Sequence, residues 1–392
     1  MGAINSHSYI YSAVRTPIGK FNGAFALIPA PELAAAAISE ALRRSGVSCE
    51  EIDEVYLGNV VSAGIGQAPA RQAALKSGLP ESVGASAINK VCGSGLKAVM
   101  LADQAIRLGQ ANFVVAGGME NMSQAPYLIP YLRSGRKLGN THILDSLIHD
   151  GLRDSNVNRT MGELCEIAAK SFCFSRESQD AYAVNSYMRA RKAQEDGTFA
   201  REIAGVPVTS SGQTRVMEKD EQPFSEDLEQ FPFLQPVFDN NGGAITKGNG
   251  AKINDGAAAL IIGKESPEFS PLAKITGYVS HAQSPSEFAL APVEAVKKVL
   301  ADNQLTTEDI DLFEINEAFA VASLAVHNLL GLDPNKVNVH GGSIALGHPI
   351  GATGARILVT LIHALKKRRL KRGVASLCIG GGEAIAMIVE MM

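Results

Sequence analysis

Apolar residues recur at helical spacing in the stretch opened by Pro31-Glu32-Leu33, at Leu33, Ala37, Ala41 and Leu42, and Gly46 stands where a helix C-cap belongs. An acidic turn, Glu51-Ile52-Asp53, then leads into Glu54-Val55-Tyr56-Leu57-Gly58-Asn59, a run that predicts a short strand. The same order returns far downstream. Pro292-Val293 opens a helix carrying Val296, Val299 and Leu300, and Asp309-Ile310-Asp311 leads into Leu312-Phe313-Glu314-Ile315-Asn316. Phe113-Val114-Val115-Ala116-Gly117-Gly118-Met119-Glu120 is likewise similar to Ser376-Leu377-Cys378-Ile379-Gly380-Gly381-Gly382-Glu383, each reading as a buried strand that ends in glycines. Cys92 lies 33 residues after Asn59 and His348 lies 32 after Asn316. The chain is therefore written twice, and Cys92 and His348 occupy nearly equivalent places in its two halves.

Alternation of strand and helix within each half predicts an α/β fold, with a mainly parallel sheet covered by helices and two halves related by a pseudo-twofold axis. The stretch 121–244 has no counterpart in the second half and reads as an inserted loop domain over the sheet ends, helical over 178–195 and polar over 209–227. The predicted organisation is a first half over 1–120 completed by 245–270, the insertion over 121–244, and a second half over 271–392. For 392 residues, two or three units agree with ordinary domain sizes of about 150 residues.

Composition adds limits to this picture. Hydrophobic residues make up 46% and charged residues 19% of the chain, with 38 glycines, which suits a globular enzyme with close helix-on-sheet packing and excludes wholesale disorder. A net charge of −4 gives no global field for nucleic acid or an anionic membrane. The densest basic run, Lys366 to Arg369 with Lys371 and Arg372, reads as a solvated helix end. No apolar stretch reaches the about 18 to 20 residues that span a bilayer. The first eleven residues lack a basic start with a long apolar core and the C-terminus lacks a peroxisomal tripeptide, so a cytosolic setting is expected. Five cysteines without C-x-x-C spacing argue against a disulfide framework or a zinc site.

Four stretches carry candidate chemistry. In Asn89-Lys90-Val91-Cys92-Gly93-Ser94-Gly95 a Cys stands between a short strand and a helix. The positive end of the helix would draw its pKa from about 8.5 toward about 7 or lower, unless Cys92 is simply a buried residue of a glycine turn. His348 stands in the stiff turn Gly347-His348-Pro349 of a glycine-rich approach to another helix, whose spacing is not that of a phosphate-binding Walker loop. Cys378 precedes Gly380-Gly381-Gly382, where backbone amides can approach a ligand, though cysteines are also common at buried strand ends. Asn316, before Glu317-Ala318-Phe319, is either a helix N-cap or an amide donor of the kind an oxyanion needs.

Together these stretches resemble the thiolase family, nearly throughout the chain. Supporting segments are Arg15-Thr16-Pro17-Ile18-Gly19-Lys20-Phe21, Gly66 to Gln72, Gly117 to Ser123, Gln179 to Ala183 and Asn254 to Ala259. The resemblance implies a layered αβαβα core and a two-step acyl transfer through an acylated Cys. In it Cys92 is the nucleophile, deprotonated with help from His348, and Cys378 is the second acid and base. His348 and a water held by Asn316 serve the enolate oxygen, while the amides of Cys92 and Gly380 serve the tetrahedral oxygen. The implied reaction joins two acetyl-CoA molecules to acetoacetyl-CoA and CoA, or reverses this. CoA thioesters are substrates, and no resident cofactor or metal is expected. A homo-oligomer, dimer or tetramer, is implied as well, with 133–141 where a tetramer-forming loop is expected.

Substrate choice rests on segments where the sequence departs from the family pattern. Thr160 precedes Met161-Gly162-Glu163 where short-chain members often carry His. In the segment Phe238 to Lys252, similar to the pantetheine-binding loop, Ala251 stands for a frequent Ser and Lys252 for a frequent Gly. Lys252 reads as a solvated surface residue. His340 and Glu383 replace a frequent Asn and a frequent Met or Gln, and both are expected to stand apart from the chemistry. The implied substrate-binding residues are Met161, Phe238, Gly248, Ala251 and Phe319, with Met161 and Phe319 lining the acyl pocket and favouring short chains. Ser286 to Pro292 is similar to the matching segment of acetoacetyl-CoA thiolases. A degradative 3-ketoacyl-CoA thiolase of broader chain length and an inactive thiolase-like scaffold are the alternatives.

Overall fold

The computed structural model describes residues 7–135, 137–210, 212–239 and 242–392. The first residues of the N-terminal reading, Arg136 of the expected tetramer loop, Ser211 of the polar stretch and Asn240 and Asn241 of the expected pantetheine loop lie outside the described residues.

Nine main strands run through one continuous sheet in the order Gly84–Ile88, Glu54–Gly58, Phe113–Asn121, Asn254–Gly263, Ser8–Arg15, Ala273–Ala282, Glu383–Met391, Arg372–Ile379 and Leu312–Ile315. The short strand Gly19–Lys20 pairs with the end of Asn254–Gly263. The duplication is visible in this order. Reading inward from each edge, Glu54–Gly58, Phe113–Asn121, Asn254–Gly263 and Ser8–Arg15 are answered by Leu312–Ile315, Arg372–Ile379, Glu383–Met391 and Ala273–Ala282. Even the edge strand Gly84–Ile88 has a vestige in the parallel bridge between Val337 and Phe313.

The expected mainly parallel sheet is not what forms. Parallel pairing is confined to Gly84–Ile88 with Glu54–Gly58, Glu54–Gly58 with Phe113–Asn121, and Leu312–Ile315 with Arg372–Ile379. The remaining main-sheet pairs are antiparallel. The cause is connectivity. A tight turn at Gly380-Gly381-Gly382 folds Arg372–Ile379 back on Glu383–Met391 as a hairpin, and the first half's matching strand returns only after the long insertion, so neither uses the helical crossover that parallel neighbours require.

Helix Ala30–Ser45 packs on the outer face of the first half and Ala291–Asp302 on the outer face of the second. Between the halves lie Ser94–Arg107 and Ile350–Arg368, here called the Cys92 helix and the His348 helix, which pack on each other and on both halves of the sheet. The result is five layers, helix, sheet, helix, sheet, helix. The predicted helix ends hold: Gly46 caps Ala30–Ser45 at φ 74° and its amide reaches Leu42 O.

Glycines set how deeply the two central helices sit. A Cβ on Gly118 would lie 2.1 Å from Gly351 O, one on Gly58 2.4 Å from the same oxygen and 2.6 Å from Gly95 N, and one on Gly354 2.4 Å from Leu96 N. Strands and helices thus meet backbone to backbone at the first turns of both helices. The residues just before those turns, Cys92 and His348, are drawn to the same end of the sheet.

Between Asn121 and Asn254 the chain leaves the sheet. It forms helices Met161–Ser171 and Arg176–Glu195 and a ribbon of Val206–Ser210 with Gln213–Met217. Arg15, at the end of the first strand and fully buried, fastens this segment. Its Nε donates to Glu202 Oε1 at 2.6 Å, Nη1 and Nη2 donate to Asp220 at 2.7 and 2.9 Å, and its guanidinium stands 4.9 Å from the Phe199 ring. Among the described residues no helix is long and apolar enough to cross a membrane.

Candidate active site

Cys92 sits on a turn tighter than its glycines alone suggest. Gly93 has an ordinary φ of −82°, and the left-handed residue is Val91 at φ 45°, a conformation that a β-branched side chain adopts only under strain. Ser94 holds this bend. Its Oγ donates to Val91 O at 2.6 Å and accepts from Lys90 N at 2.8 Å, while the amides of Gly93 and Ser94 close onto Lys90 O and Val91 O. The thiol therefore stands at the mouth of the Cys92 helix, buried, with the Gly380 amide directed at it.

Its ionisation differs from the expectation. Burial pushes the Cys92 thiol up to about 11, and donation from the Gly380 amide and from its own amide offsets only part of that rise. Desolvation outweighs the helix end, and the resting group is a neutral thiol.

His348 is placed by its backbone and by one ring contact. Gly347 takes φ 111°, where a Cβ would also lie 2.3 Å from the Asn254 side chain, and the His348 amide donates to Lys252 O at 3.2 Å. The ring Nδ1 lies 2.7 Å from Thr353 Oγ1, one turn into the helix, and that hydroxyl in turn reaches Pro349 O at 2.9 Å. This leaves Nε2 buried and with no hydrogen-bond partner among the described residues. Burial, helped by the Arg356 charge, pushes the imidazolium down to about 3, so the resting ring is neutral and able to take a proton.

Asn316 follows strand Leu312–Ile315, its amide donating to Ser376 O at 2.9 Å. Its Oδ1 accepts from Ser343 Oγ at 2.6 Å, and its Nδ2, buried, has no partner among the described residues. Asn316 is not an N-cap: the following helix is Ala320–Leu330, flanked by Phe319.

Cys378 is the penultimate residue of the strand Arg372–Ile379, buried beside Cys92. Burial first, and then the neighbouring Cys92, raise its pKa far above that of a free thiol. The turn after it is pinned at two points: Gly381 N donates to Asp154 Oδ2 at 2.9 Å and Gly382 O accepts from Gln283 N at 2.8 Å.

The residues expected to line the substrate are partly brought together. Met161 Sδ lies 3.3 Å from where a Cβ on Gly380 would stand. The Phe238 and Phe319 rings meet edge to face at 6.1 Å, and Phe238 closes over Gly162 so tightly that a Cβ there would fall 2.2 Å from the ring. Ala251 N donates to Ala318 O at 3.0 Å and Gly250 bridges Phe319, which sets that loop against the phenyl ring. Gly248 is instead packed against Phe231 and Leu234. Thr160 caps helix Met161–Ser171: its Oγ1 accepts from Glu163 N at 3.3 Å and donates to Glu163 Oε2 at 2.8 Å.

One expectation needs correction. Lys252 is not a solvated surface lysine, because its ammonium folds back onto Lys247 O and Gly250 O and stands 5.7 Å from the Tyr187 ring. Burial lowers its pKa to about 8. Glu383 forms an ion pair with Lys90 that ties the Cys92 turn to the turn after Cys378.

Sequence reasoning missed Glu120, Thr353, Ser343 and Arg356. Glu120 is fully buried and accepts from Val60 N, Val61 N, Asn59 Nδ2 and Gly351 N, joining the first half to the start of the His348 helix. One signal was legible in the chain: a charged or hydroxyl residue inside an otherwise apolar run, as in Gly118-Met119-Glu120 and Ala352-Thr353-Gly354, needs a buried partner.

Known proteins share this fold. Residues 8–266 match the thiolase N-terminal domain and residues 269–391 the thiolase C-terminal domain. The chain is 49% identical over 389 residues to an acetyl-CoA acetyltransferase of Escherichia coli strain K12, covering 98% of each. It is 48% identical over 387 residues to an acetyl-CoA acetyltransferase of Cupriavidus necator, covering 97% of this chain and 98% of that one. The crystal structure of the Bacillus anthracis acetyl-CoA acetyltransferase superposes with a TM-score of 0.97 at 40% identity over all of both chains. The Acat5 thiolase of Ascaris suum, solved in complex with coenzyme A, gives 0.92 at 42% identity over 98% of this chain and all of that one. With both domains matched in order and full-length relatives at nearly half identity, the chain belongs to the thiolase family.

Proposed function

We propose that this chain is an acetyl-CoA acetyltransferase that condenses two acetyl-CoA molecules to acetoacetyl-CoA and CoA, and cleaves acetoacetyl-CoA in reverse, through acetyl-Cys92. The observation that carries the mechanism is the pairing of two buried thiols, Cys92 and Cys378, with the Gly380 amide at Cys92, and it is supported by two buried polar atoms without partners among the described residues, His348 Nε2 and Asn316 Nδ2.

In condensation, Cys92 passes its proton to His348 Nε2 and its sulfur attacks the thioester carbon of the first acetyl-CoA. The carbonyl oxygen becomes an oxyanion facing the amides of Cys92 and Gly380, and CoA leaves with the proton from His348. Cys378 then gives its own proton to the once more neutral His348 Nε2 and, as thiolate, removes a proton from the methyl carbon of the second acetyl-CoA. The enolate oxygen faces the protonated His348 and a water held by Asn316 Nδ2, the enolate carbon attacks the acetyl carbon, and the Cys92 sulfur departs, taking the proton from His348 so that both thiols and the neutral ring are restored. Met161, Phe238 and Phe319 close the acyl pocket and favour short chains, with Gly248 and Ala251 in the loop that meets the pantetheine arm. CoA thioesters are substrates here, and the four side chains need no resident cofactor or metal ion.

The reading also assigns the chain to lipid metabolism as a homo-oligomer. Two features support a second copy as partner: the exposed edge strand Gly84–Ile88 and the apolar side chains that the segment 127–143 presents to solvent, Tyr131 at 83% and Leu138 at 92% among them. Five free cysteines suit a reducing compartment, in keeping with the cytosol.

The test pairs two variants. Cys92→Ala should take up no acetyl group from acetyl-CoA. Cys378→Ala should take one up, seen as an added acetyl mass on the peptide holding Cys92, yet make no acetoacetyl-CoA. Equal loss of both steps in Cys378→Ala would overturn the division of roles, and faster thiolysis of long 3-ketoacyl-CoA substrates than of acetoacetyl-CoA would overturn the short-chain assignment.

A further inference from the structure

We infer that Ser343 and Arg356 are positioning residues that fix which end of the Asn316 amide faces the reacting carbonyl. The inference rests on the proposed role of Asn316 and names what makes that role obligatory.

A primary amide presents a donor and an acceptor of nearly equal shape, and rotation by half a turn exchanges them. For Asn316 the exchange matters. Nδ2 in the site supplies a donor toward developing negative charge, whereas Oδ1 in the same place repels it. Something must decide between the two.

The decision is made by a one-way chain of hydrogen bonds. It starts at Arg356, on the His348 helix and 1% exposed, whose Nη1 donates to Glu314 Oε1 at 3.2 Å. Its Nη2 donates to Ser343 Oγ at 2.7 Å. A guanidinium has donors only, so the Ser343 oxygen must accept from it, and the single Ser343 hydrogen is left for another acceptor. That acceptor lies 2.6 Å away on Asn316. It is the carbonyl oxygen, since with an NH2 group there the Ser343 oxygen would accept twice and its buried hydrogen would be left without an acceptor among the described residues. Nδ2 is thereby left as the open end of the amide, buried and with no partner among the described residues, which is the end the proposed role requires.

Burial makes the chain stringent. Ser343 is fully buried, Asn316 and Glu314 are each 2% exposed, and no bulk water competes for these bonds. The geometry also spans three elements: strand Leu312–Ile315 carries Glu314 and is followed by Asn316, Ser343 opens the short helix Ser343–Leu346, and Arg356 lies within the His348 helix. One buried cation thus sets the polarity of an amide that its own side chain does not touch.

The test is Ser343→Ala, read in two half-reactions on the full-length protein. Acetyl transfer from acetyl-CoA to Cys92, followed by intact mass, should proceed within about twofold of wild type, because Asn316 serves the other step. The kcat for thiolysis of acetoacetyl-CoA should fall by ~10- to 100-fold, part of the ~10² to 10³ that a complete oxyanion donor supplies. In an Asn316→Ala background the same Ser343→Ala change should cost nothing further, since a residue acting only through its neighbour is silent once that neighbour is gone. Wild-type thiolysis by Ser343→Ala, or full additivity with Asn316→Ala, would overturn the inference. If Ser343→Ala does not fold, Arg356→Lys, which still only donates, should keep more thiolysis than Arg356→Gln, which can also accept, and the reverse order would overturn it. Failure of the wild type to acetylate Cys92 or to cleave acetoacetyl-CoA would instead sink the reading of function beneath it.

Discussion

Cys92 combines two opposing influences, a helix N-terminus with a backbone amide aimed at its sulfur and a surrounding of apolar atoms that withholds water from the thiolate. The second prevails and the group rests near 11. Deprotonation then awaits the substrate, whose carbonyl carbon gives the sulfur an electrophile as the resident His348 takes the proton. The sign follows directly: raising pH populates thiolate, and below its pKa the thiolate fraction grows about tenfold per pH unit. Alkylation of Cys92 by iodoacetamide in the free enzyme should therefore still be rising between pH 8 and 9.5, and a plateau reached below pH 8 would mean a preformed thiolate. At this scale Cys92 and His348 stand out in the sequence because each occupies a glycine-rich turn with a side chain that turns do not require. Their supports do not. Thr353, Ser343 and Arg356 belong to stretches whose pattern is dominated by burial, and only the folded chain reveals which atoms their hydroxyl and guanidinium groups meet.

Among elements, the close contact of strands Glu54–Gly58 and Phe113–Asn121 with the two central helices governs how far apart the two reactive turns stand. Gly118→Ala places a methyl carbon where only 2.1 Å separate it from Gly351 O, and backbone on both sides cannot yield as a flexible side chain would. The His348 helix must move. A displacement of about 1 Å at a reacting geometry costs on the order of 10²-fold in rate, so this variant should keep its far-UV circular dichroism and lose kcat by about that factor. Activity at the wild-type level would show that the contact does not position His348. Helix and strand boundaries of each half could be read from periodicity and caps, as at Gly46, because those signals are local. Strand direction could not. Whether a strand returns parallel or antiparallel depends on what the chain does between strands, and here a triple-glycine hairpin and a long insertion overrode the rule of helical crossovers.

Over the whole molecule, the segment between Asn121 and Asn254 is held to the sheet by charge as well as by apolar contact. Arg15 answers two carboxylates, Glu202 and Asp220, with all three groups buried. Arg15→Ala would leave both anions unpaired in the interior, a change that typically costs about 3 to 5 kcal/mol. The urea midpoint should drop accordingly, and a loss under about 1 kcal/mol would show that the carboxylates find other partners. The sequence marked Arg15 as part of a family segment, yet its acidic partners lie 187 and 205 positions away, beyond any local pattern.

The duplicated halves meet so that corresponding turns face one another, and this has a chemical consequence. Two copies of the first half alone, paired in the same way, would set thiol against thiol, and two copies of the second would set imidazole against imidazole. Neither pairing unites a nucleophile with a base. Division of labour between equivalent positions demands that the two turns hold different residues, and covalent linkage in one chain lets them differ while the frame around them stays alike. The symmetry of the scaffold and the asymmetry of its chemistry are thus two sides of one arrangement, in which a repeated fold supplies the distances and a single difference between the repeats supplies the reaction.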